Sequence, residues 1–155
     1  MADHTVKAYE EELTALEQTI GEMGALVLEQ VSAAVEAISS HDLALARRTV
    51  DGDARLDLLE ARTEQQAVRL LALRQPMARD LRDILAAMKI AGNLERCGDL
   101  AKNIAKRALA VGEGGLPAFA NGSVLRMGQL VLTRLAEVIA AQRIRDVDAA
   151  IAVWR

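Results

Sequence analysis

The strongest constraint on the fold of this chain is an internal repeat with an offset of about 104 residues. The segment Met23–Leu28 (MGALVL) matches the segment Met127–Leu132 (MGQLVL). The same register pairs Val31 with Leu135, Val35 with Ile139, Asp42 with Asp146 and Ala46 with Ala150. A repeat of this length predicts two copies of one structural unit. In the second copy, the positions equivalent to Asp53 and Asp57 would lie beyond Arg155. We therefore expect a second unit that stops within its second helix.

Apolar residues recur at alternating spacings of three and four along most of the chain, which is the period of an amphipathic helix. Only 2 of the 155 residues are proline and 52% are hydrophobic, so long helices meet few interruptions. We predict four long helices at about residues 6–39, 42–73, 77–111 and 124–143. Asp42 should cap the second helix, Pro76 suits the start of the third, and Asp146 should begin a fifth. The predicted class is all-α.

The segment 112–123 is rich in Gly, Pro and Asn, and we interpret it as a linker. Residues 1–111 should form a complete three-helix bundle of up-down-up topology, and residues 124–155 a partial second unit. The apolar stripes of helices four and five would then lack a third helix to cover them. Because large exposed apolar patches rarely persist on monomers, we expect a homo-oligomer, such as a homodimer.

Composition excludes several classes of function. A net charge of -3 and 2% aromatic residues give neither the basic patch nor the stacking surface that nucleic-acid binding requires. The single cysteine, Cys97, excludes an internal disulfide, and the N-terminus lacks the pattern of a signal peptide. No apolar run is long enough to cross a membrane, so a cytoplasmic protein is expected. No phosphate-binding loop, nucleophile elbow or catalytic triad occurs, and no catalytic residue is predicted.

Two pairs of carboxylates are the candidate functional residues. Asp53 and Asp57 stand four residues apart on the second predicted helix, and Glu95 and Asp99 repeat that spacing on the third. Like charges at this spacing repel each other across one helix face, so each pair calls for a cationic partner. If the two helices are antiparallel neighbours, all four carboxylates can converge on a metal ion. The alternative is that Glu95 pairs with a cation such as Lys102 and that the carboxylates are only surface charges.

The donor set narrows the choice of metal. Oxygen ligands without His or Cys suit Mg²⁺, Mn²⁺, Ca²⁺ or iron, and they suit zinc less well. Neither His4 nor His41 follows a glutamate by three residues, which excludes the usual di-iron carboxylate oxidase. Gly92 and Gly98 are costly inside a helix and indicate a packing or site requirement near the carboxylates. Cys97 lies in the apolar seam and is interpreted as a buried small hydrophobic residue.

The chain resembles the PhoU family of phosphate-signalling regulators over essentially its whole length. The likeness rests on Met23-Gly24, on ARRTVDGD at 46–53, on Arg74-Gln75-Pro76 with DLR at 80–82, and on LERCGD at 94–99 followed by NIA at 103–105. The last two motifs are distinctive in combination. The resemblance implies PhoU-like tandem three-helix bundles, the first complete and the second truncated within its second helix.

The resemblance also implies a function. In this family, acidic motifs matching the pairs Asp53/Asp57 and Glu95/Asp99 bind multinuclear metal clusters of iron or zinc. Family members repress the phosphate-starvation response when phosphate is plentiful, as adaptors that contact the ATPase of a phosphate ABC transporter and a sensor histidine kinase. Two other interpretations remain open: a carboxylate metal-binding or metal-storage helical protein, and an oligomerising structural bundle without a signalling role.

Overall fold

The computed structural model describes residues 2–74 and 78–155, with side chains at 8–73 and 80–155. The helices are α1 (Ala2–Ser40), α2 (Leu43–Asp51), α3 (Ala54–Arg74), α4 (Ala78–Val111), α5 (Ala118–Ile144) and α6 (Val147–Trp154). No strand occurs in these ranges, and the prediction of an all-α protein is confirmed. None of the helices described there has an apolar stretch long enough to cross a membrane.

The first and third predicted helices are confirmed as α1 and α4, whereas the prediction of one continuous helix over 42–73 is wrong. The helix is interrupted at Gly52 and Asp53, between α2 and α3. The Gly52 N–H donates to the Arg48 carbonyl at 2.9 Å and closes α2. The Gly52 carbonyl accepts hydrogen bonds from Gln30 of α1 at 3.2 Å and from the Arg55 N–H at 3.3 Å. Gly and Asp are weak helix formers, so a tertiary hydrogen bond at this point favours the break.

The segment predicted as a linker is partly helical. A 3-10 turn covers Gly112–Gly114, and α5 begins at Ala118 rather than at Val124. The side chain of Asn121 donates a hydrogen bond to the Ser39 carbonyl at 2.9 Å, which ties the start of α5 to the end of α1. The division of the chain into two units stays a prediction. The turn predicted at Pro76 lies outside the described residues.

The core of the first bundle lies along α1, which packs against α3 and α4. The predicted seam of α1 is buried at Leu16, Ile20, Met23 and Val27. Apolar residues of α3 and α4 complete the core, namely Leu56, Ala67, Leu70, Ile84, Ala91, Leu94 and Ala101. Full burial of one of the larger side chains, such as Leu56 or Ile84, stabilises the fold by about 1.5–3 kcal/mol.

The internal repeat appears in the packing of α5 against α1. A Cβ atom placed on Gly24 would lie 3.1 Å from Ile139, and one placed on Gly128 would lie 2.5 Å from Val35. Gly24 aligns with Gly128 and Val35 aligns with Ile139, so these are the same contact made once by each repeat. Reciprocal contacts of this kind are the signature of a two-fold relation. The helices α1 and α5 are therefore antiparallel and related by a local two-fold axis.

The helix caps repeat as well. Asp42 accepts a hydrogen bond from the backbone N–H three residues later at 2.8 Å, and Asp146 does the same at 2.9 Å. The residues before these caps, His41 and Arg145, both have positive φ, at 62° and 56°. The prediction that Asp42 and Asp146 are equivalent N-caps is confirmed.

Candidate functional site

The two acidic pairs lie on antiparallel neighbouring helices. Leu56 near the start of α3 faces Gly98 of α4, while Leu70 near the end of α3 packs with Ile84 near the start of α4. The expected antiparallel arrangement is thus present. It places the Asp53 turn beside the part of α4 that carries Glu95 and Asp99.

A lysine connects the two predicted pairs. The ammonium group of Lys102 donates hydrogen bonds to Asp53 and, at 3.0 Å, to Asp99. The Asp53 side chain is 8% exposed, the Lys102 side chain 26% and the Asp99 side chain 49%. One positive charge therefore joins the turn before α3 to the middle of α4. Sequence reasoning gave Lys102 only as an alternative partner of Glu95, because the contact with Asp53 spans two helices.

The ion pairs shift the proton affinities of their members. Hydrogen bonds to Asp53 and Asp99 raise the pKa of Lys102, and the hydrogen bond from Lys102 is the main cause of the lowered pKa of Asp99. Both groups therefore remain charged across the physiological range.

Carboxylates next to this ion pair show the opposite shift. Burial raises the pKa of Glu95, and the charges of Asp99, Glu60 and Asp57 raise it further. Burial is also the first cause of the raised pKa of Glu60, followed by the charges of Glu64 and Asp57. The acidic face, formed by Asp53, Asp57, Glu60, Glu95 and Asp99, thus carries more negative charge than Lys102 neutralises. Glu60 was absent from the predicted set, although its position three residues after Asp57 places it on the same helix face.

Gly98 allows the three elements around the site to approach each other. A Cβ atom at this position would overlap the Leu56 side chain and would lie 2.9 Å from Oε1 of Gln30. At Gly92 a Cβ atom would meet only Glu60, at an ordinary distance of 3.5 Å. The expected packing requirement therefore holds at Gly98, and nothing in the structure requires a glycine at Gly92.

Gln30 of α1 is a polar residue of the site that sequence reasoning missed. It is 6% exposed, and its Nε2 donates to the Gly52 carbonyl. Its Oε1 is buried and has no hydrogen-bond partner among the described residues. The amide thus lies between Gly52 and Gly98, the residues that precede Asp53 and Asp99. The signal that could have found Gln30 is its spacing, since it lies three residues after Val27 and four before Ala34 on the buried seam of α1.

The donor chemistry of the site fits a hard cation, although the side chains are not gathered around one point. Among the residues that the structure describes, no three His, Cys, Asp or Glu side chains are arranged to hold a metal ion. Asp53 and Asp99 meet through Lys102, Glu95 adjoins Asp99, and Asp57 is exposed on α3. The excess of carboxylate oxygens matches the requirement of a hard cation, and the Lys102 ammonium supplies positive charge where two of them meet.

Cys97 lies on the opposite, apolar side of α4. It is half-buried against the core of the first bundle, and burial raises the pKa of its thiol. This placement agrees with its interpretation as a small hydrophobic residue, since a thiol with a raised pKa is a poor nucleophile at neutral pH.

Comparison with known proteins identifies the family of this chain. Residues 20–108 match the PhoU domain, and this part contains all four predicted metal ligands. The chain is 48% identical, over 99% of its length, to the phosphate-specific transport system accessory protein PhoU homolog of Caulobacter vibrioides, of which it covers 67%. Identity to the protein of the same name from Rhizobium meliloti is 41%, over 88% of this chain and 57% of that one.

Solved structures of PhoU share the fold. PhoU from Pseudomonas aeruginosa superposes with a TM-score of 0.89 and 33% identity, over 93% of this chain and 69% of that one. The phosphate transport system regulatory protein PhoU from Streptococcus pneumoniae gives a TM-score of 0.85 and 33% identity, over 94% and 68%. The sequence match to the domain and the shared fold show that this chain belongs to the PhoU family.

Proposed function

We propose that this chain is an accessory protein of a phosphate-specific transport system, which restrains phosphate uptake and the phosphate-starvation response when phosphate is plentiful. The observation that supports this role is the 48% identity, over 154 residues, to a protein of that name. Since the chain spans about two thirds of that relative and 57% of the Rhizobium protein, the role of the whole relative is carried over as a proposal.

We further propose that the chain works as a cytoplasmic adaptor and performs no catalysis itself. Its partners would be the ATPase of a phosphate ABC transporter and a sensor histidine kinase, and it would act as a homo-oligomer. An adaptor needs surfaces rather than a catalytic cleft. The described surface offers charged helix faces, such as Arg55 and Arg62 of α3 beside Glu22 and Glu29 of α1.

The acidic face is proposed as a metal site with Asp53, Asp57, Glu95 and Asp99 as ligands. Burial, and then the charges of the neighbouring carboxylates, raise the pKa of Glu95. This supports the proposal, because a bound cation would stabilise the charged form of Glu95 against both effects. The oxygen donors suit Mg²⁺ or Mn²⁺, and the family resemblance favours a multinuclear cluster of iron or zinc. The bound metal would supply a fixed positive charge that joins α3 to α4. The same face keeps a second function open, that of a metal-binding protein without a signalling role.

The transport role can be tested in a bacterium that lacks its own PhoU protein. Expression of this chain should lower the activity of a phosphate-starvation reporter in phosphate-rich medium and should reduce phosphate uptake. A matched control carries Val27→Asp, which places a charge in the core of the first bundle and should abolish the effect. Unchanged reporter activity and uptake, with the chain present at normal levels, would refute the proposal.

Binding to partners separates the two functions. The purified chain should retain the transporter ATPase and the kinase on an affinity column. Elemental analysis of the same preparation, beside a variant with all four proposed ligands changed to Asn or Gln, tests the metal site. Metal that is lost in the variant, together with absence of binding to either partner, would favour the metal-binding function over the adaptor.

A further inference from the structure

We infer that Lys102 competes with metal for the acidic site: in the metal-free protein its ammonium group holds Asp53 and Asp99, and a divalent cation binds after that group is displaced. This inference rests on the metal site proposed above and concerns how that site is occupied. Its starting observation is that Lys102 bridges carboxylates from the two separate acidic pairs.

Asp53 is a buried carboxylate that is paired with a cation. Its side chain is 8% exposed, and an ionised group buried without a partner is strongly unfavourable. In the structure Lys102 supplies the positive charge. If Lys102 leaves while Asp53 stays ionised, another positive charge is required there, and a divalent cation meets that requirement.

The Lys102 ammonium group and a divalent metal ion exclude each other at this site. An ammonium group and a metal ion that share the same carboxylate oxygens would repel each other at close range. Lys102 has a flexible stem and a 26% exposed side chain, and its second partner, Asp99, is half-exposed. The ammonium group can therefore turn into solvent without disturbing the core.

Gln30 carries an oxygen without a hydrogen-bond donor. Its Oε1 is buried near Gly98, and no residue in the part of the chain that the structure describes donates a hydrogen bond to it. Amide oxygens are ordinary ligands of hard cations. Gln30 therefore offers a further oxygen close to Gly52 and Gly98, the residues that precede Asp53 and Asp99.

The test compares Lys102→Met with Lys106→Met in the whole chain. Both changes remove one positive charge from α4, but Lys106 is exposed and acts on Asp99 only through its charge. Titration calorimetry with Mn²⁺ should show that Lys102→Met binds at least about tenfold more tightly than the parent, while Lys106→Met changes the affinity by less than about threefold. Equal affinities for the parent and Lys102→Met would overturn the inference and leave the metal site intact.

A second measurement uses the unaltered chain, so it does not depend on the folding of a variant. Mn²⁺ should raise the rate at which a small amine-reactive reagent modifies Lys102, and the rate at Lys106 serves as the internal reference. Bound Mn²⁺ with an unchanged rate at Lys102 would contradict the displacement. Absence of Mn²⁺ binding by both the parent and a folded Lys102→Met variant would refute the metal site and the inference together.

Discussion

Alanine at Met23 and alanine at Met127 should have very different effects on stability, although the two positions are equivalent in the repeat. Met23 is 0% exposed, and its sulfur accepts a hydrogen bond from the Thr63 hydroxyl at 3.7 Å. Met127 is 60% exposed on α5. The same chemical change therefore empties a filled core position in one repeat and shortens a surface side chain in the other.

The magnitudes follow from burial. Truncation of a fully buried methionine costs about 2–5 kcal/mol of unfolding free energy, through lost transfer free energy and a residual cavity. A surface substitution without special contacts changes it by about 0.5 kcal/mol or less. With a urea m value of about 2 kcal/mol/M, Met23→Ala should lower the urea midpoint by about 1–2.5 M, and Met127→Ala by about 0.25 M or less.

The assay is urea unfolding followed by circular dichroism at submicromolar concentration, below the range in which self-association is expected. Thr63→Val is a control that keeps the volume of the side chain but removes the hydroxyl, which donates to the Met23 sulfur at 3.7 Å and to the Leu59 carbonyl at 2.9 Å. It leaves no cavity, so it should cost less than Met23→Ala. Equal losses at Met23 and Met127 would refute the reasoning, because the face of α5 that carries Met127 would then be covered.

Three further predictions concern packing, association and pH. Gly98→Ala should lower the unfolding free energy by about 1–3 kcal/mol, because its Cβ overlaps Leu56. Gly21→Ala, with open space around its Cβ, should raise the unfolding free energy by about 0.5–1 kcal/mol. Thermal melts of both glycine variants beside the parent measure these changes. The chain should self-associate at micromolar concentration in light scattering through the exposed apolar face of α5 and α6, and Val131→Glu should weaken this; a monomeric parent would contradict it. Burial, then the charges of Glu64 and Asp57, raise the pKa of Glu60, so its charged form destabilises the fold as the pH rises through that pKa. Glu60→Gln should therefore be more stable than the parent at pH 7 and equal to it near pH 3; an equal gain at both pH values would refute this.

The long helices and the repeat could be predicted from the sequence because they depend on local patterns. The seam of α1 follows from spacings of three and four, and its residues are buried as expected. The caps at Asp42 and Asp146 follow from side-chain chemistry within one turn of helix. The start of α5 was missed because the Asn121 side chain hydrogen-bonds to the end of α1, a contact between segments 82 residues apart.

The candidate site was predictable only in part, for the same physical reason. The spacing within each acidic pair showed that Asp53, Asp57, Glu95 and Asp99 need positive charge nearby. The source of that charge in the structure is Lys102, which is three residues from Asp99 and also contacts Asp53, 49 residues away in the chain. A contact of that separation leaves no periodic pattern, so sequence reasoning could name Lys102 only as one of several partners.

The break between α2 and α3 explains why the site forms where it does. In a continuous helix the Gly52 carbonyl would accept the N–H four residues on, whereas here it accepts the Arg55 N–H three residues on and the buried amide of Gln30. The break leaves Asp53 as the buried residue just before α3, where its carbonyl accepts the Leu56 N–H at 2.8 Å and its carboxylate meets Lys102. The interruption of the helical pattern and the cluster of charged side chains thus coincide at one point, which supports the proposal that this point is a functional site. The proposed ligand pair Asp53/Asp57 is therefore split by the break: Asp53 lies at the buried turn before α3 and contacts Lys102, whereas Asp57 is exposed on α3.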